Sequence, residues 1–263
     1  MADLLTLGMD VGSTTSKCLI LRNGEEVLAS ALVPAGTGTS GPSRALEEAL
    51  ASAGLAREDV AVLTATGYGR STFPGADYVV SELSCHALGA HALCEEARTV
   101  IDIGGQDAKA LRIGPDGKLE SFLMNDKCAA GTGRFLEVMA RVLEKDVSDL
   151  AEMDEQAEGI VPISSTCTVF AESEVISQLA KGVDLCSLVK GIHASVAVRT
   201  AALARRLGVV PPIAMTGGVA RNAGVVHALE SELGTSIRVS PLAQMAGALG
   251  AAIYGYRKGS ESA

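Results

Sequence analysis

Two stretches of this sequence share one pattern, Asp10-Val-Gly-Ser-Thr-Thr-Ser-Lys17 and Asp102-Ile-Gly-Gly-Gln-Asp-Ala-Lys109. Both fit the frame D-[VI]-G-x-x-x-[SA]-K, and each lies between two short apolar runs with the composition of β-strands. A hairpin signal follows each copy, Asn23-Gly24 after the first and Asp116-Gly117 after the second. The repeat therefore predicts two lobes built alike, each with three strands followed by a helix and another strand.

The apolar periodicity outside the repeat extends this prediction along the chain. Strands are predicted at residues 5–10, 17–22, 29–33, 60–66, 99–103, 108–113, 119–124, 213–216 and 236–239. Helices are predicted at residues 43–53, 82–97, 188–207, 223–233 and 244–257, and onward from near residues 133 and 169. We expect an N-terminal lobe of residues 1–97 and a C-terminal lobe of residues 98–243, with the last helix, residues 244–260, packing back on the first lobe.

The composition of the 263 residues suits an α/β protein, because hydrophobic residues reach 48% and glycine is abundant while aromatic residues make up only 3%. A net charge of −9 argues against a partner that is nucleic acid or an anionic membrane surface. No apolar run approaches the roughly 18 residues of a membrane span. The start MADLLTLGMDV lacks the features of a signal peptide, so a cytoplasmic protein is expected.

The repeated turns have the chemistry of phosphate loops, since an Asp-x-Gly turn between strands exposes successive backbone N–H groups to anionic oxygens. The candidate phosphate-binding residues are Gly12, Ser13, Thr14, Thr15, Lys17, Gly104 and Gly105. Asp10 and Asp102 are expected to face each other and to hold Mg²⁺, directly or through water, and Gln106 to orient an attacking water. The alternative is that both acids merely cap turns. No Walker-type loop is present.

A third glycine-rich segment is Met215-Thr-Gly-Gly-Val-Ala-Arg-Asn222. An apolar strand runs into Gly217-Gly218 and then into a helix, so backbone is expected to approach a nucleotide closely at the start of that helix.

Two of the six cysteines stand in similar surroundings, Cys128 in Asn125-Asp-Lys-Cys128-Ala-Ala-Gly-Thr-Gly and Cys167 in Ser164-Ser-Thr-Cys167-Thr-Val-Phe. Each lies in a polar, turn-forming run just before a predicted helix, where free N–H groups and the helix dipole stabilise a thiolate. An iron–sulfur cluster normally takes four cysteines, which two subunits related by a twofold axis would supply together. A redox disulfide, a zinc site across a dimer, or two inert thiols remain alternatives.

The remaining cysteines and the histidines carry no predicted role. Cys18 is expected in a core strand, Cys85 and Cys94 on opposite sides of one helix, and Cys186 just before a helix. His86 and His91 form a poor chelating pair, and His193 and His227 are isolated.

The segments DVGSTTSK, DIGGQDAK, NDKCAAGTGRF, SSTCTVFAESEVIS and TGGVARN resemble the activators (component A) of 2-hydroxyacyl-CoA dehydratases. The likeness is greatest to the activator of (R)-2-hydroxyglutaryl-CoA dehydratase, and this family is related to the ATPase subunits of benzoyl-CoA reductase. It covers nearly the whole chain, and the two cysteine segments are highly specific to the family.

This resemblance implies a homodimer with the duplicated, two-lobed actin-like ATPase fold of acetate and sugar kinases, heat-shock chaperones and actin. It implies one oxygen-sensitive [4Fe–4S] cluster between the subunits, ligated by Cys128 and Cys167 of each, with ATP bound between the lobes. It further implies that reduced ferredoxin or flavodoxin supplies electrons. ATP hydrolysis then drives one electron into the dehydratase, which removes water from an acyl-CoA by radical chemistry.

Two other functions fit the fold. A sugar or carboxylate kinase usually needs a substrate-binding insertion and a distinct catalytic acid, for which 263 residues leave little room. An assembly protein that uses ATP only as a switch is the non-enzymatic alternative. Neither explains Cys128 and Cys167. No motif assigns the ribose and adenine contacts, for which Glu137 and Glu172 are the candidates, or the acyl-CoA substrate.

Overall fold

The computed structural model describes residues 3–164 and 167–261, which form two compact units. The first contains the described residues up to Glu96, the segment Ile113–Leu119 and the described residues from Gln244 onward. The second contains Ala97–Arg112 and the described part of Glu120–Ala243.

The strands are β1 (Leu5–Val11), β2 (Ser16–Arg22), β3 (Glu26–Val33), β4 (Val62–Thr66), β5 (Tyr78–Val79), β6 (Thr99–Ile103), β7 (Ala108–Ile113), β8 (Leu119–Asn125), β9 (Ile213–Thr216) and β10 (Ile237–Val239). The helices are α1 (Gly41–Ala53), α2 (Glu82–Leu93), α3 (Gly133–Val142), α4 (Leu150–Glu155), α5 (Thr168–Ala180), α6 (Leu185–Leu207), α7 (Ala223–Leu233) and α8 (Ala246–Glu261). None of the helices in the described residues combines the length and the apolar character that crossing a membrane requires.

The first unit is a five-stranded sheet in the order β3-β2-β1-β4-β5, covered by helices. Strands β1, β2 and β3 are antiparallel, whereas β4 and β5 run parallel to β1. The β2–β3 turn is the predicted Asn23-Gly24, and both residues have the positive φ that tight hairpins need. Helices α2 and α8 pack together closely because Gly250 has no side chain, and a Cβ there would lie 1.8 Å from the carbonyl oxygen of Cys85.

The second unit repeats this topology with the order β10-β9-β6-β7-β8. Strands β6 and β7 are antiparallel, and β9 and β10 run parallel to β6, as β4 and β5 do to β1. The matching order explains the sequence repeat, because both D-[VI]-G turns join the central strand of a sheet to its antiparallel neighbour. Phe135 and Met139 of α3 pack in the core beside Ile101 of β6.

Several boundaries differ from the sequence prediction. Helix α2 ends at Leu93, and Cys94 is its C-cap, so Cys85 and Cys94 do not share a helix. Helix α6 begins at Leu185 because Asp184 caps it, accepting a hydrogen bond from the backbone N–H of Ser187 at 2.7 Å. Cys186 therefore lies inside the first turn of α6 and not before it. The short elements β5 and α4 were not predicted.

Candidate functional site

The first loop, residues 12–15, joins β1 to β2 as a tight turn in the first unit. The N–H of Gly12 donates to the carbonyl of Thr15 at 3.0 Å. Asp10 and Lys17 are register partners on the two strands, and the Lys17 ammonium lies 3.0 Å from the carboxylate of Asp10. Ser13 is exposed at the tip. The carbonyl of Gly12 accepts a hydrogen bond from the N–H of Thr37 at 2.9 Å, so the loop backbone is held from one side, while Lys17 contacts Asp10.

The carboxylate of Asp10 is buried in a space that two glycines leave open. A Cβ at Gly67 would lie 2.4 Å from Asp10 Oδ1, and one at Gly247 would lie 3.0 Å from Asp10 Oδ2. The same Cβ at Gly247 would lie 2.8 Å from Nε2 of His86, which is itself buried. His86 therefore borders the same glycine as Asp10. This proximity was not predicted, because the two residues are distant along the chain.

The second loop, residues 104–107, has the same geometry in the second unit. The N–H of Gly104 donates to the carbonyl of Asp107 at 2.9 Å, and Asp102 and Lys109 are again register partners. Gln106 is exposed at the tip. The Lys109 ammonium lies 3.2 Å from Asp102 and 2.5 Å from Asp107. Asp107 stands where the first loop has Thr15, so the second loop carries an additional acid.

Asp102 is held from a second direction by the segment that follows β9. The hydroxyl of Thr216 donates to Asp102 Oδ1 at 2.8 Å. Gly217 has a φ of 87°, and a Cβ there would lie 2.3 Å from the carbonyl oxygen of Ile103. The first glycine of the predicted nucleotide motif is therefore needed for close approach to β6, whereas Gly218 is exposed.

The helix predicted at residues 223–233 is confirmed, but a short turn separates it from these glycines. Gly218–Arg221 forms a short 3₁₀ turn, and α7 begins only at Ala223. The start of α7 is capped by Asn222, whose side-chain oxygen accepts a hydrogen bond from the N–H of Val225 at 3.1 Å.

The start of α3 is bonded to the second loop. The N–H of Gly133 donates to the carbonyl of Gly104 at 2.9 Å, and the N–H of Arg134 donates to the carbonyl of Gly105 at 2.8 Å. These N–H groups were predicted to stabilise a thiolate at Cys128. They instead connect the loop to the helix that follows the cysteine segment.

Cys128 lies exposed in the segment of residues 126–132 between β8 and α3. The side-chain amide of Asn125 donates to the carbonyl of Cys128 at 2.9 Å. Buried Thr132 donates from its hydroxyl to the carbonyl of Ala129 at 2.6 Å. Both ends of the segment are therefore fixed, and the thiol projects from an ordered turn.

Cys167 is exposed and is the N-cap residue of α5, as the sequence predicted for its position. The N–H and hydroxyl of Ser164 donate to the carboxylate of Glu174 at 3.0–3.2 Å, which ties the preceding chain to the second turn of α5. Ser165 and Thr166 of this motif lie outside the described residues. Both candidate cysteines belong to the second unit.

The other thiols are packed or half-buried. Cys18 and Cys85 are fully buried, and burial raises the pKa of both, that of Cys85 to about 12. Cys94 and Cys186 are half-buried. Of the two candidate ribose or adenine contacts, Glu137 pairs with Arg134 at 3.0 Å on the same helix, and Glu172 is half-buried on α5.

A buried polar network in the second unit was missed, because its members are far apart in sequence. His193 Nδ1 lies 2.6 Å from Asp154 Oδ2, and His193 Nε2 lies 3.2 Å from the side-chain nitrogen of Asn222. Because the oxygen of Asn222 accepts from Val225, its nitrogen must donate to Nε2, so Nδ1 carries the proton and donates to Asp154. The network joins α4 and α6 to the cap of α7.

Comparison with known proteins supports the resemblance to dehydratase activators. The chain is 57% identical to the activator of lactoyl-CoA dehydratase from Anaerotignum propionicum, over 96% of this chain and 98% of that one. It is also 57% identical to the (R)-2-hydroxyglutaryl-CoA dehydratase activating ATPase from Acidaminococcus fermentans, over 98% of this chain and 99% of that one.

The solved structures lead to the same family. The activator of the 2-hydroxyisocaproyl-CoA dehydratase from Clostridium difficile with bound ADPNP superimposes with a TM-score of 0.96 at 53% identity, covering 98% of this chain and 97% of that one. A ROK family glucokinase from Streptomyces griseus has a TM-score of 0.60 at 16% identity, covering 96% of this chain and 99% of that one, a likeness of fold alone. The predicted two-lobed, actin-like α/β fold is thereby confirmed.

The predicted resemblance to dehydratase activators is likewise confirmed. Residues 7–255 match the profile of the BadF/BadG/BcrA/BcrD ATPase family. This chain therefore belongs to the BadF/BadG/BcrA/BcrD ATPase family.

Proposed function

We propose that this chain hydrolyses ATP and, as a homodimer with one [4Fe–4S] cluster, delivers single electrons that activate a 2-hydroxyacyl-CoA dehydratase. Its similarity to three dehydratase activators supports the partner class. A reduced ferredoxin or flavodoxin is the proposed source of electrons. The bound ADPNP of the Clostridium difficile relative supports the nucleotide.

Within each unit, the loops have the groups that nucleotide phosphates require. Asp10 and Asp102 are buried carboxylates whose oxygens already contact Lys17 and Lys109, respectively. We therefore assign them to Mg²⁺ through its water shell, since this ion keeps several waters. Exposed Gln106 is the proposed group that orients the attacking water.

The cysteines fit half of a cluster site. The described residues of one chain contain no group of three or more His, Cys, Asp or Glu side chains able to hold a metal. Cys128 and Cys167 offer two exposed thiols, so four ligands require a second copy. A cluster held by four such thiolates would supply a one-electron carrier. Next to Cys167, Val169 and Phe170 are 65% and 68% exposed, an apolar surface suited to burial by that second copy.

The observation that carries the proposal is the pair of backbone hydrogen bonds between the second phosphate loop and α3. Gly133 and Arg134 donate to Gly104 and Gly105, and Cys128 lies only five residues before Gly133. If a nucleotide shifts the loop carbonyls, the start of α3 and the adjoining cysteine segment must follow, or these bonds must break. This contact offers a physical route from nucleotide to thiolate within one unit.

Anaerobic purification tests the cysteines. The wild-type chain should be brown, with about four iron atoms per dimer, whereas Cys128→Ser and Cys167→Ser should lose the iron and the electron delivery. Cys186→Ser is the matched control, because this half-buried thiol of the same unit is not a proposed ligand. A colourless wild-type protein that phosphorylates a sugar or a carboxylate would instead support the kinase alternative.

A proline tests the connection between nucleotide and cysteines. Arg134→Pro removes the N–H that bonds to Gly105, at a first-turn position of α3 where proline does not break the helix. Arg134→Ala is the control, since it loses the same side chain but keeps the N–H. We expect both variants to hydrolyse ATP. Only Arg134→Pro should deliver fewer electrons per ATP to a dehydratase. Equal coupling in the two variants would refute this route.

A further inference from the structure

Arg199 of α6 lies against the Cys128 segment and the first turn of α3. Its Cβ and Cδ are 3.5 and 3.9 Å from the position that a Cβ would take at Gly131, three residues after Cys128. Its guanidinium carbon is 5.5 Å from the ring centroid of buried Phe135, a cation–π distance. The aliphatic part of the side chain thus packs beside the cysteine segment, and its guanidinium lies over the ring of Phe135.

Both candidate cysteines lie within electrostatic range of Arg199. Burial lowers the pKa of Arg199, while the thiols of Cys128 and Cys167 act in the opposite direction and favour its charged form. An arginine remains protonated at any ordinary pH. A half-buried cation that contacts a buried ring is costly to place unless negative charge nearby compensates for it.

Such a cation matters because of the charge that the thiolates would bring. Two thiolates per chain make four per dimer, and each added electron increases the negative charge in a region of low dielectric constant. A fixed positive charge beside them favours the reduced form of any centre they bind.

We propose that Arg199 is an electrostatic positioning residue for Cys128 and Cys167, which holds the two thiolates and favours acceptance of the electron at the centre they ligate. This inference rests on the proposed cluster function and adds a residue to it. Arg199 itself is not a ligand, and it acts through the cysteines.

The first test compares Arg199→Gln, which removes the charge, with Arg199→Lys, which keeps it. Arg206→Gln is the matched control, because it makes the same charge change at an exposed position two turns along α6. In Arg199→Gln the equilibrium constant for one-electron reduction, measured by potentiometric titration, should fall at least tenfold, equivalent to about 59 mV. Arg199→Lys and Arg206→Gln should stay near the wild-type value.

A second measurement does not depend on iron. In the metal-free chain, alkylation by anionic iodoacetate and by neutral iodoacetamide is compared at Cys128 and Cys167 by mass spectrometry. The ratio of the iodoacetate rate to the iodoacetamide rate reports the electrostatic potential at each thiol. The fraction of thiolate cancels in this ratio, because both reagents react with the same thiolate. The ratio should fall roughly threefold in Arg199→Gln and stay unchanged in Arg206→Gln.

These measurements separate failure of the inference from failure of the cluster proposal. Wild-type protein without iron would refute the cluster, while a lower alkylation ratio would still support the role of Arg199. Unchanged potential and unchanged ratio in Arg199→Gln would overturn that role. If Arg199→Gln lost its iron, a normal iron content in Arg199→Lys would support the role of the positive charge. Loss of iron in Arg199→Lys as well would overturn that role and mean that only the packing of Arg199 matters.

Discussion

Replacement of the lysine in each D-[VI]-G repeat should give unequal losses of stability in the two units. Lys109 and Asp102 have side chains only 2% exposed, and the Lys109 ammonium contacts two carboxylates, at 3.2 and 2.5 Å. Lys109→Met keeps much of the apolar stem but leaves the Asp102 carboxylate buried without its cation. Removal of one partner from a buried ion pair costs about 3–5 kcal/mol.

The matched variant is Lys17→Met in the first loop. Lys17 contacts Asp10 at 3.0 Å, and its side chain is 14% exposed, so water can partly replace it. Its loss should therefore cost less, about 1–3 kcal/mol. At about 2–4 °C per kcal/mol for a chain of this size, Lys109→Met should lower the melting temperature by roughly 6–20 °C.

Amide hydrogen exchange without nucleotide is the assay, because it assigns the lost protection to β6 and β7 in one variant and to β1 and β2 in the other. A second change, Asp102→Asn, should recover most of the stability of Lys109→Met by removing the unpaired charge. A loss below 1 kcal/mol in Lys109→Met, or no recovery in the double variant, would refute the reasoning about the buried pair.

Three further predictions concern packing, pH and the buried network. Gly250→Ala should destabilise the first unit by about 2–3 kcal/mol, seen as a lower urea midpoint, because its Cβ would meet backbone of α2 that no rotamer change can move. The pKa of Cys85 is raised to about 12 in the folded state, so its contribution to stability is complete below pH 9 and is lost as pH rises toward 12. Between pH 9 and 10, the unfolding free energy of Cys85→Ala should therefore fall by up to about 1.4 kcal/mol less than that of the wild type. An equal fall in the two proteins would contradict the raised pKa of Cys85. His193→Ala should cost about 2–4 kcal/mol, because it leaves the buried carboxylate of Asp154 unpaired, and Asn222→Ala about 1–2 kcal/mol. Equal melting temperatures for these two variants would contradict the larger cost assigned to the unpaired carboxylate of Asp154.

The parts of the fold that were predicted correctly depend on short sequence motifs. The two D-[VI]-G frames located both central strands, and Asn23-Gly24 located the first hairpin, because turn chemistry depends on adjacent residues. The exposure of Cys128 and Cys167 was also predictable, since neither segment has an apolar alternation to bury its thiol. In each case the information lies within about ten residues of sequence.

Contacts that join distant segments were not predictable. Asp154, His193 and Asn222 meet only because α4, α6 and α7 pack together. The N–H groups of α3 were expected to be open, yet Gly104 and Gly105 supply their acceptors. The local sequence does not distinguish a helix start that is open from one that is bonded to another loop, because the first N–H groups of every helix lack partners within the helix.

The two copies of the loop differ in sequence and in the contacts that they make. The first carries Thr15 and the second Asp107, and it is the second loop whose carbonyls bind the start of α3 near Cys128. A backbone hydrogen bond contributes about 0.5–1.5 kcal/mol net, so these two bonds can transmit about 1–3 kcal/mol.

In the proposed function, that energy limits how far a nucleotide can shift the reduction potential of the cluster by this route. Because about 1.4 kcal/mol corresponds to 59 mV, two hydrogen bonds account for roughly 40–130 mV. A larger nucleotide-dependent shift would require a second route, and α6 is the candidate, since it carries both His193 beside the cap of α7 and Arg199 beside the cysteine segment. The shift that remains in Arg134→Pro would then be an upper limit on what α6 contributes, because the bond from Gly133 to Gly104 is kept. Disappearance of the shift in that variant would leave the loop bonds as the sole connection.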